Sequence, residues 1–343
     1  MKEEIGRFLT IKYKLILKFL DKKVPPYIEK IIEPFAGKGH LLKILKNVSV
    51  PVEKYDLIPF KNTIKRDTIL NPPNYKNSFI ITNPPFLAKN KSKNKIWFEN
   101  SPHDDLYKCF LQQLIDDNPE GGILILPLNF LSSSRNKKIR RDFFTCFSVK
   151  NLNIFTIQTF ENTTIPVIAF RFKCINSSFK YMEINTRIFG EEGAVKKIII
   201  ILYQKYDYLI GGELYNLSPS PFQRKYKFLR LIDENKIMKK STTRIVIKTI
   251  DPIIQAEFIK NKRDVFVDKT HLKSARTFMT IVCYPPLDVE KQKILVKKFN
   301  KFLEKKRKYY HSLFLTSYRE FERKRITFGM VYSILGYLVE KYN

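Results

Sequence analysis

The chain has 343 residues, of which 44% are hydrophobic and 14% aromatic, so it is long enough for two domains and is not a disordered chain. Its 63 lysines and arginines against 33 acidic residues give a formal charge of +30, typical of a protein with a polyanionic partner, either nucleic acid or a membrane surface. Four widely spaced cysteines without a C-x-x-C pair indicate neither zinc nor disulfides, and the lack of a signal peptide predicts a cytoplasmic protein.

The first half of the chain alternates predicted helices with predicted strands. Helical spacing of apolar residues occurs over residues 9–20, 40–45, 106–115 and 139–144. Short apolar or β-branched runs indicate strands over residues 30–35, 52–57, 79–82, 122–127, 151–156 and 166–172. Because several of these strands are apolar throughout, they predict an α/β fold with a parallel sheet covered on both faces by helices.

The character of the sequence changes after about residue 173. The later predicted elements are strands over 195–203 and 243–250 and helices over 291–310 and 327–342. The simplest division is a catalytic domain over residues 1–175 and a second region over 176–343. Within that region, 176–285 is expected to be β-rich and 286–343 to be basic and helical.

The segment Asn83-Pro84-Pro85-Phe86 directly follows the apolar strand that is predicted to end at Thr82. Ligands of open α/β sheets bind at this edge, and two consecutive prolines fix the backbone and remove two N–H donors. The Asn83 side chain and the Pro84 carbonyl can then accept hydrogen bonds from a planar amine, such as the N6 amine of adenine, while Phe86 stacks on its ring. The alternative is a strand terminator followed by an ordinary core phenylalanine.

A second motif, Glu33-Pro34-Phe35-Ala36-Gly37-Lys38-Gly39, joins the first predicted strand to a helix. Its two glycines allow positive φ and a close approach of the backbone to a ligand. The motif is neither the three-glycine dinucleotide fingerprint nor a P-loop. It suits a cofactor without a pyrophosphate, such as S-adenosylmethionine, and the alternative is a loop that only initiates a helix.

Two acidic residues follow at positions that suit the same cofactor. Asp56 ends a predicted strand 17 positions after Gly39 and can accept hydrogen bonds from both hydroxyls of a ribose. Asp67 precedes the third strand and can accept a hydrogen bond from an adenine amino group. The alternatives are capping roles for both carboxylates and, for Asp67, an ion pair with Arg66.

Together, these motifs resemble the DNA adenine-N6 methyltransferases, whose catalytic loop reads Asn-Pro-Pro-Tyr/Phe. The motif order and the long C-terminal remainder resemble the γ arrangement, in which a cofactor-contacting N-terminal segment precedes the catalytic domain and target recognition follows it. Residues 7–10 occupy the position of that N-terminal segment. Residues 129–132 and 160–164 are similar to later family segments, the second of which shapes the target-base pocket.

The resemblance covers about residues 7–175. It implies a Rossmann-like S-adenosylmethionine-dependent methyltransferase domain, followed by a mixed β/α target-recognition region with a helical C-terminus. The cofactor contacts that it implies are Thr10, Glu33, Pro34, Phe35, Ala36, Gly37, Gly39, Asp56, Asp67 and Asn83. The catalytic residues that it implies are Asn83, Pro84 and Phe86. Tyr is commoner than Phe at the last of these positions, so Phe86 is expected to stack only.

The reaction that the resemblance implies starts with an adenine flipped out of duplex DNA. The base stacks on Phe86, and its amine donates hydrogen bonds to the Asn83 side chain and the Pro84 carbonyl. The freed nitrogen lone pair then attacks the sulfonium methyl in line, so catalysis is largely positioning and dipole stabilisation. Neither a covalent enzyme intermediate nor a metal is expected.

A lysine-rich segment follows the catalytic loop. It contains Lys89, Lys91, Lys93 and Lys95, interleaved with asparagine and serine. Beside the pocket, these lysines are expected to contact the phosphates that flank the flipped base. The alternative is a solvated, mobile loop.

Other substrates share the same catalytic loop. Methyltransferases of glutamine side chains and of RNA bases (guanine-N2 or adenine) would leave residues 1–175 nearly unchanged, and a catalytically silent DNA-binding subunit is a further alternative. The basic second half favours duplex DNA. We therefore expect the modification enzyme of a restriction system, bacterial or viral and cytoplasmic in its cell, with a cognate endonuclease acting separately.

Overall fold

The computed structural model describes all residues except 1–5, 7, 9, 11, 46–47, 161–162, 164, 218–224, 251–253, 270–276, 311–324 and 342–343. The described residues divide after Leu209 into two compact units. The predictions made on Arg7, Leu9 and most of segment 160–164 lie outside the described residues.

The first unit is built on a nine-stranded sheet with the order β3-β2-β1-β4-β5-β7-β6-β8-β9. Its strands are β1 (Lys30–Glu33), β2 (Val52–Asp56), β3 (Ile64–Lys65), β4 (Ser78–Thr82), β5 (Gly121–Pro127), β6 (Phe147–Phe155), β7 (Val167–Cys174), β8 (Tyr181–Phe189) and β9 (Val195–Tyr203). Every residue of β4 and β5 is buried, which explains why these two strands read as continuous apolar runs.

The strand directions make this sheet doubly wound. Strands β3, β2, β1, β4 and β5 are parallel, and the chain order reverses between β1 and β4. Such a reversal opens a crevice at the carboxyl ends of the strands. The prediction of an α/β, Rossmann-like fold is confirmed.

The expectation of a parallel sheet in the first half of the chain is wrong for one of its strands, β7. Strand β7 pairs antiparallel with both β5 and β6, and β9 pairs antiparallel with β8. Strand β9 follows its antiparallel partner β8 after a short connection, residues 190–194, whereas a parallel neighbour needs a long crossover.

The helices of the first unit are α1 (Tyr13–Ile16), α2 (Leu106–Asp117), α3 (Asn129–Ser132) and α4 (Lys137–Cys146). The predicted helix over 9–20 is therefore reduced to one described turn. The Asn153 amide donates hydrogen bonds to the carbonyls of Ile16 at 3.0 Å and Lys18 at 2.6 Å, and Phe19 adopts a φ of 66°, which ends a helix. The predicted helix over 40–45 is a single 3₁₀ turn, Leu41–Ile44.

The second unit contains a four-stranded antiparallel sheet with the order β10-β13-β11-β12. Its elements are β10 (Lys227–Arg230), β11 (Thr242–Lys248), β12 (Gln255–Phe258), β13 (Phe278–Tyr284), α5 (Val289–Tyr309) and α6 (Phe328–Lys341). Helix α5 buries Leu295, Phe299 and Leu303, which follow helical spacing. No helix among the described residues is long and apolar enough to cross a membrane.

The division between the units falls later than the predicted domain boundary at residue 175. Strands β8 and β9, placed by the sequence in the second region, extend the large sheet of the first unit. The β-rich and helical character expected for the later residues is present, but part of it belongs to the first unit.

Candidate active site

One pocket lies at the carboxyl ends of β1, β2 and β4, beside the point where the strand order reverses. The predicted site residues that line it are Thr10, Glu33, Phe35, Ala36, Gly37, Asp56, Asp67 and Asn83. Pro34, Gly39, Pro84 and Phe86 lie in the same loops but are not among the lining residues. The sheet thus brings together side chains that are up to 73 positions apart in sequence.

The loop after β1 is held in a form that exposes its backbone to the pocket. Gly37 and Gly39 have φ angles of 52° and 66°, a left-handed conformation that glycine adopts without steric strain. The Gly37 N–H donates to Asp56 Oδ2 at 2.7 Å, and the Ala36 N–H donates to the Tyr55 carbonyl at 2.8 Å. The loop is therefore fastened to the end of β2.

Glu33 ends β1 with a carboxylate that is 1% exposed. Its Oε2 atom has no hydrogen-bond partner. Burial raises the pKa of Glu33 well above its ordinary value; Lys54 opposes this rise and Asp56 adds to it. A buried acceptor facing a pocket is a position that a cationic or N–H-bearing ligand group would complete.

The two predicted cofactor acids carry structural hydrogen bonds as well. Asp56 accepts from the N–H groups of Gly37 and Ile58, at 2.7 and 2.9 Å. Asp67 accepts from the N–H groups of Ile69 and Leu70 at 3.1 and 3.2 Å. The turn at Asp67 uses only its Oδ1 atom, which leaves Oδ2 for other donors.

The guanidinium of Arg66 donates to the carbonyls of Asn71 and Pro72, at 2.7 and 2.9 Å, and lies over the Tyr55 ring. The alternative in which Asp67 pairs with Arg66 thus finds no support in these contacts.

An apolar slot on one side of the pocket was not predicted from the sequence. Trp97 lines it and donates from Nε1 to Asp67 Oδ2 at 2.7 Å. Leu57, Ile69 and Leu106 complete the slot, and all four residues belong to one apolar cluster. The available signal was Trp97 itself, the only tryptophan in the chain, which is flanked by Ile96 and Phe98.

Asn83 follows β4 and has a fixed orientation. Its Nδ2 donates to the Phe8 carbonyl at 3.0 Å and to Thr10 Oγ1 at 3.1 Å. A carbonyl can only accept, so the nitrogen must face Phe8. The Asn83 Oδ1 atom therefore points elsewhere; it is buried and has no partner. The side chain presents one unused acceptor at the pocket.

The Phe86 ring is only 3% exposed, because neighbouring rings cover it. Phe8 lies 6.0 Å away at an angle of 38°, and Tyr107 meets the ring edge-on at 6.2 Å. The Phe8 ring also lies 6.0 Å from the buried ring of Phe160. Phe8 is half-buried and occupies the space between these two aromatic rings.

The lysine-rich segment after the catalytic loop is compact, and its four lysines are exposed residues. The N–H groups of Lys91 and Ser92 both donate to the Ala88 carbonyl, and the Lys95 side chain donates to the Lys89 carbonyl. None of the four lysines is among the residues lining the pocket. Their contact with DNA remains a prediction.

No protein-family model matches this chain, and no curated protein matches it by sequence. Similar solved structures include a modification subunit provisionally assigned to a type I restriction enzyme of Vibrio vulnificus, with 15% identity, 55% of this chain and 48% of that one covered, and a TM-score of 0.42. A protein of Listeria monocytogenes, provisionally assigned as a class I S-adenosylmethionine-dependent methyltransferase, has 13% identity, coverages of 51% and 61%, and a TM-score of 0.37.

The type IIL restriction–modification enzyme MmeI, solved with DNA, has 11% identity, coverages of 81% and 50%, and a TM-score of 0.45. The chain thus spans about half the length of most of these proteins. At such identities the similarity concerns the fold alone.

Proposed function

We propose that this protein transfers a methyl group from S-adenosylmethionine to the N6 amine of adenine in duplex DNA, as the modification enzyme of a restriction system. The observation that carries the proposal is the Asn83 side chain, whose buried Oδ1 lacks a partner while its Nδ2 is held by Phe8 and Thr10. An acceptor fixed in this way, at the carboxyl edge of the sheet and followed by two prolines, suits a planar amine.

The residues of the pocket fit the cofactor. Glu33 offers a buried acceptor to its ammonium group, and Asp56 lies at the end of the next strand for the ribose hydroxyls. The apolar slot beside Trp97 has the character needed for an adenine ring, with Asp67 at its edge for the ring amine. When bound, S-adenosylmethionine supplies an electrophilic methyl group.

The chain itself orients the substrate amine. Asn83 Oδ1 accepts one N–H and the Pro84 carbonyl accepts the other, which draws the amine towards a tetrahedral geometry and frees its lone pair. The Asn83 acceptor is fixed before the substrate arrives, so this side chain needs no reorganisation during the reaction. Phe86 supplies a ring on which the base stacks.

Duplex DNA is the proposed substrate because of charge. The formal net charge of +30 is larger than binding of a small cofactor requires. Cations that contact phosphates provide a large part of the affinity of proteins for nucleic acids. An adenine amine within a base pair requires base flipping, so the ring covering Phe86 must move when the base enters. The cognate endonuclease of such a system acts as a separate protein.

The decisive experiment is the transfer of labelled methyl from S-adenosylmethionine to unmethylated duplex DNA, with nucleoside analysis of the product. The expected result is label in N6-methyladenine. Label in ribosomal RNA or in a protein glutamine instead would keep the cofactor and overturn the substrate. DNA binding without any methyl transfer would indicate a silent subunit.

Asn83→Ala is the matched test of the site. We expect methylation to fall at least about 100-fold, since a pre-oriented hydrogen-bonding group is worth that much in the transition state, while binding of DNA remains. Asn185→Ala, an exposed residue of β8, should leave the rate unchanged. Equal rates for wild type and Asn83→Ala would refute the assignment.

A further inference from the structure

A second pocket lies wholly within the second unit. It is lined by three cationic side chains from three segments: Lys240 before β11, Arg244 on β11 and Lys262 after β12. The remaining wall is the beginning of α5, including Asp288 and Gln292. Lys240 is exposed, so the pocket opens to the surface of the unit.

The position of Arg244 is fixed by its surroundings. Its Nη1 donates to the Lys260 carbonyl at 3.2 Å, and its guanidinium lies 5.9 Å from the centre of the Phe258 ring. Its backbone N–H donates to Gln292 Oε1 at 2.7 Å, and Gln292 is buried. The guanidinium N–H groups of Arg244 that do not take part in these contacts can bind a ligand in the pocket.

The three cations are not neutralised by the acid in the same wall. Asp288 caps α5, accepting from the Lys291 N–H at 2.7 Å, and its other oxygen lies 3.6 Å from the Lys291 ammonium. Within the described part of the chain, no ion pair joins an acid to any of the three cations. Burial lowers the pKa of Lys262, and the neighbouring positive charge of Arg244 lowers it further.

We propose that this second pocket binds a phosphate of the DNA backbone. A phosphodiester supplies the missing negative charge and several acceptors, and a guanidinium matches its geometry with two parallel donors. The opening at Lys240 admits a phosphate that belongs to a polymer. The proposal rests on the proposed function only in taking duplex DNA as the ligand, and it gives the second unit a defined contact with it.

The test compares two triple variants of the full chain that remove equal charge. The first is Lys240→Gln, Arg244→Gln, Lys262→Gln; the second is Lys297→Gln, Lys301→Gln, Lys305→Gln, on the exposed side of α5. The dissociation constant of a duplex is measured over a range of salt concentrations. For the first variant we expect weaker binding and a slope of log K against log salt that is shallower by about 0.9, the value for one phosphate. For the second we expect the wild-type slope.

Equal changes in both variants, or none in the first, would overturn the proposal. Glutamine removes the charge and keeps a polar, though shorter, side chain, and thermal melting checks that both variants fold. Arg244→Lys, which keeps the charge but loses the paired donors, should lie between wild type and the triple variant. Inorganic phosphate is titrated in parallel. If it binds wild type but not the first variant while DNA binding is unchanged, the pocket is a small-anion site and the proposal fails.

Because the measurement is of DNA binding, its outcome is separate from that of methyl transfer. Loss of DNA affinity in the first triple variant, in a protein that methylates something other than DNA, would overturn the proposed function and keep the phosphate pocket.

Discussion

Glu33 is an acidic residue that is only 1% exposed, and its Oε2 atom has no hydrogen-bond partner. Removing its charge should therefore stabilise the free protein while weakening the proposed cofactor site. For Glu33→Gln we expect a higher melting temperature and S-adenosylmethionine affinity reduced about 10- to 100-fold, as for loss of a hydrogen bond to a charged group. Calorimetric titration and thermal melting measure the two effects, and Glu29→Gln, an exposed acid before β1, is the control.

The difference in stability between Glu33→Gln and wild type should depend on pH in one direction. Burial raises the pKa of folded Glu33 above its ordinary value of 4.5, so the folded state favours the protonated form. The stability that this contributes is complete below pH 4.5 and is lost as pH rises through the folded pKa. In urea unfolding, the advantage of Glu33→Gln over wild type should thus grow with pH across this window and then level off. An advantage independent of pH would show that the raised pKa is not its cause.

Phe8 is the residue that base entry should displace. Its ring lies 6.0 Å from both Phe86 and Phe160, whereas the other neighbour of Phe86, Tyr107, is fixed within α2. Truncation to alanine keeps the carbonyl that holds Asn83. We expect Phe8→Ala to lower the KM for DNA about 2- to 10-fold at unchanged kcat, the worth of one aromatic contact. A higher KM for Phe8→Ala would mean that the Phe8 ring contacts the bound base and does not block its access to Phe86.

The sequence predicts site residues where they follow strands. Glu33, Asp56 and Asn83 end or follow buried strands, and the edge of a parallel sheet brings such positions together. Trp97 and Ile69 lie in segments without a periodic pattern, so their place in the pocket depends on tertiary packing. The unpaired state of Asn83 Oδ1 is likewise set by Phe8 and Thr10, which are distant in sequence.

At the scale of elements, the sheet depends on close contact along β5. A Cβ atom added to Gly122 would lie 2.0 Å from the Ile80 carbonyl oxygen and 2.8 Å from a ring carbon of Phe172. The first of these is backbone of β4, which cannot move without breaking the pairing of β4 with β5. Gly122→Ala should destabilise the protein by about 3 kcal/mol or more, as severe overpacking does, measured by urea unfolding.

The control for this substitution is Gly329→Ala in α6. A Cβ at Gly329 meets nothing within 4 Å, and alanine is favoured over glycine in helices by up to about 1 kcal/mol. We therefore expect a neutral or slightly stabilising effect. Comparable destabilisation by both substitutions would contradict the steric explanation.

Elements are predictable where local pattern decides them. Strand β5 and helix α2 agree closely with their apolar patterns, since each has a continuous buried surface. The helix predicted over 9–20 fails because Asn153, from β6, takes the carbonyls at its end. The two-residue strand β3 has no pattern of its own and is defined by its pairing with β2.

At the scale of the whole molecule, the proposed cofactor pocket and the proposed phosphate pocket belong to different compact units. Each unit has its own sheet and its own apolar core, such as the cluster of Leu231, Val246, Val265 and Val282 in the second. A ligand stabilises only the structure that it binds. Binding experiments can therefore assign each ligand to a unit.

Saturating S-adenosylmethionine should raise the melting temperature of the first unit. At 100 times its dissociation constant, a ligand adds about 2.7 kcal/mol of stability, which for a unit of this size corresponds to an increase of about 5 to 10 °C. Differential scanning calorimetry should show the shift in the transition that Gly122→Ala lowers, with the transition of the second unit unmoved. The complementary experiment uses duplex DNA, which should also stabilise the second unit. If S-adenosylmethionine shifted only the transition of the second unit, the cofactor would bind outside the pocket of Glu33 and Asn83.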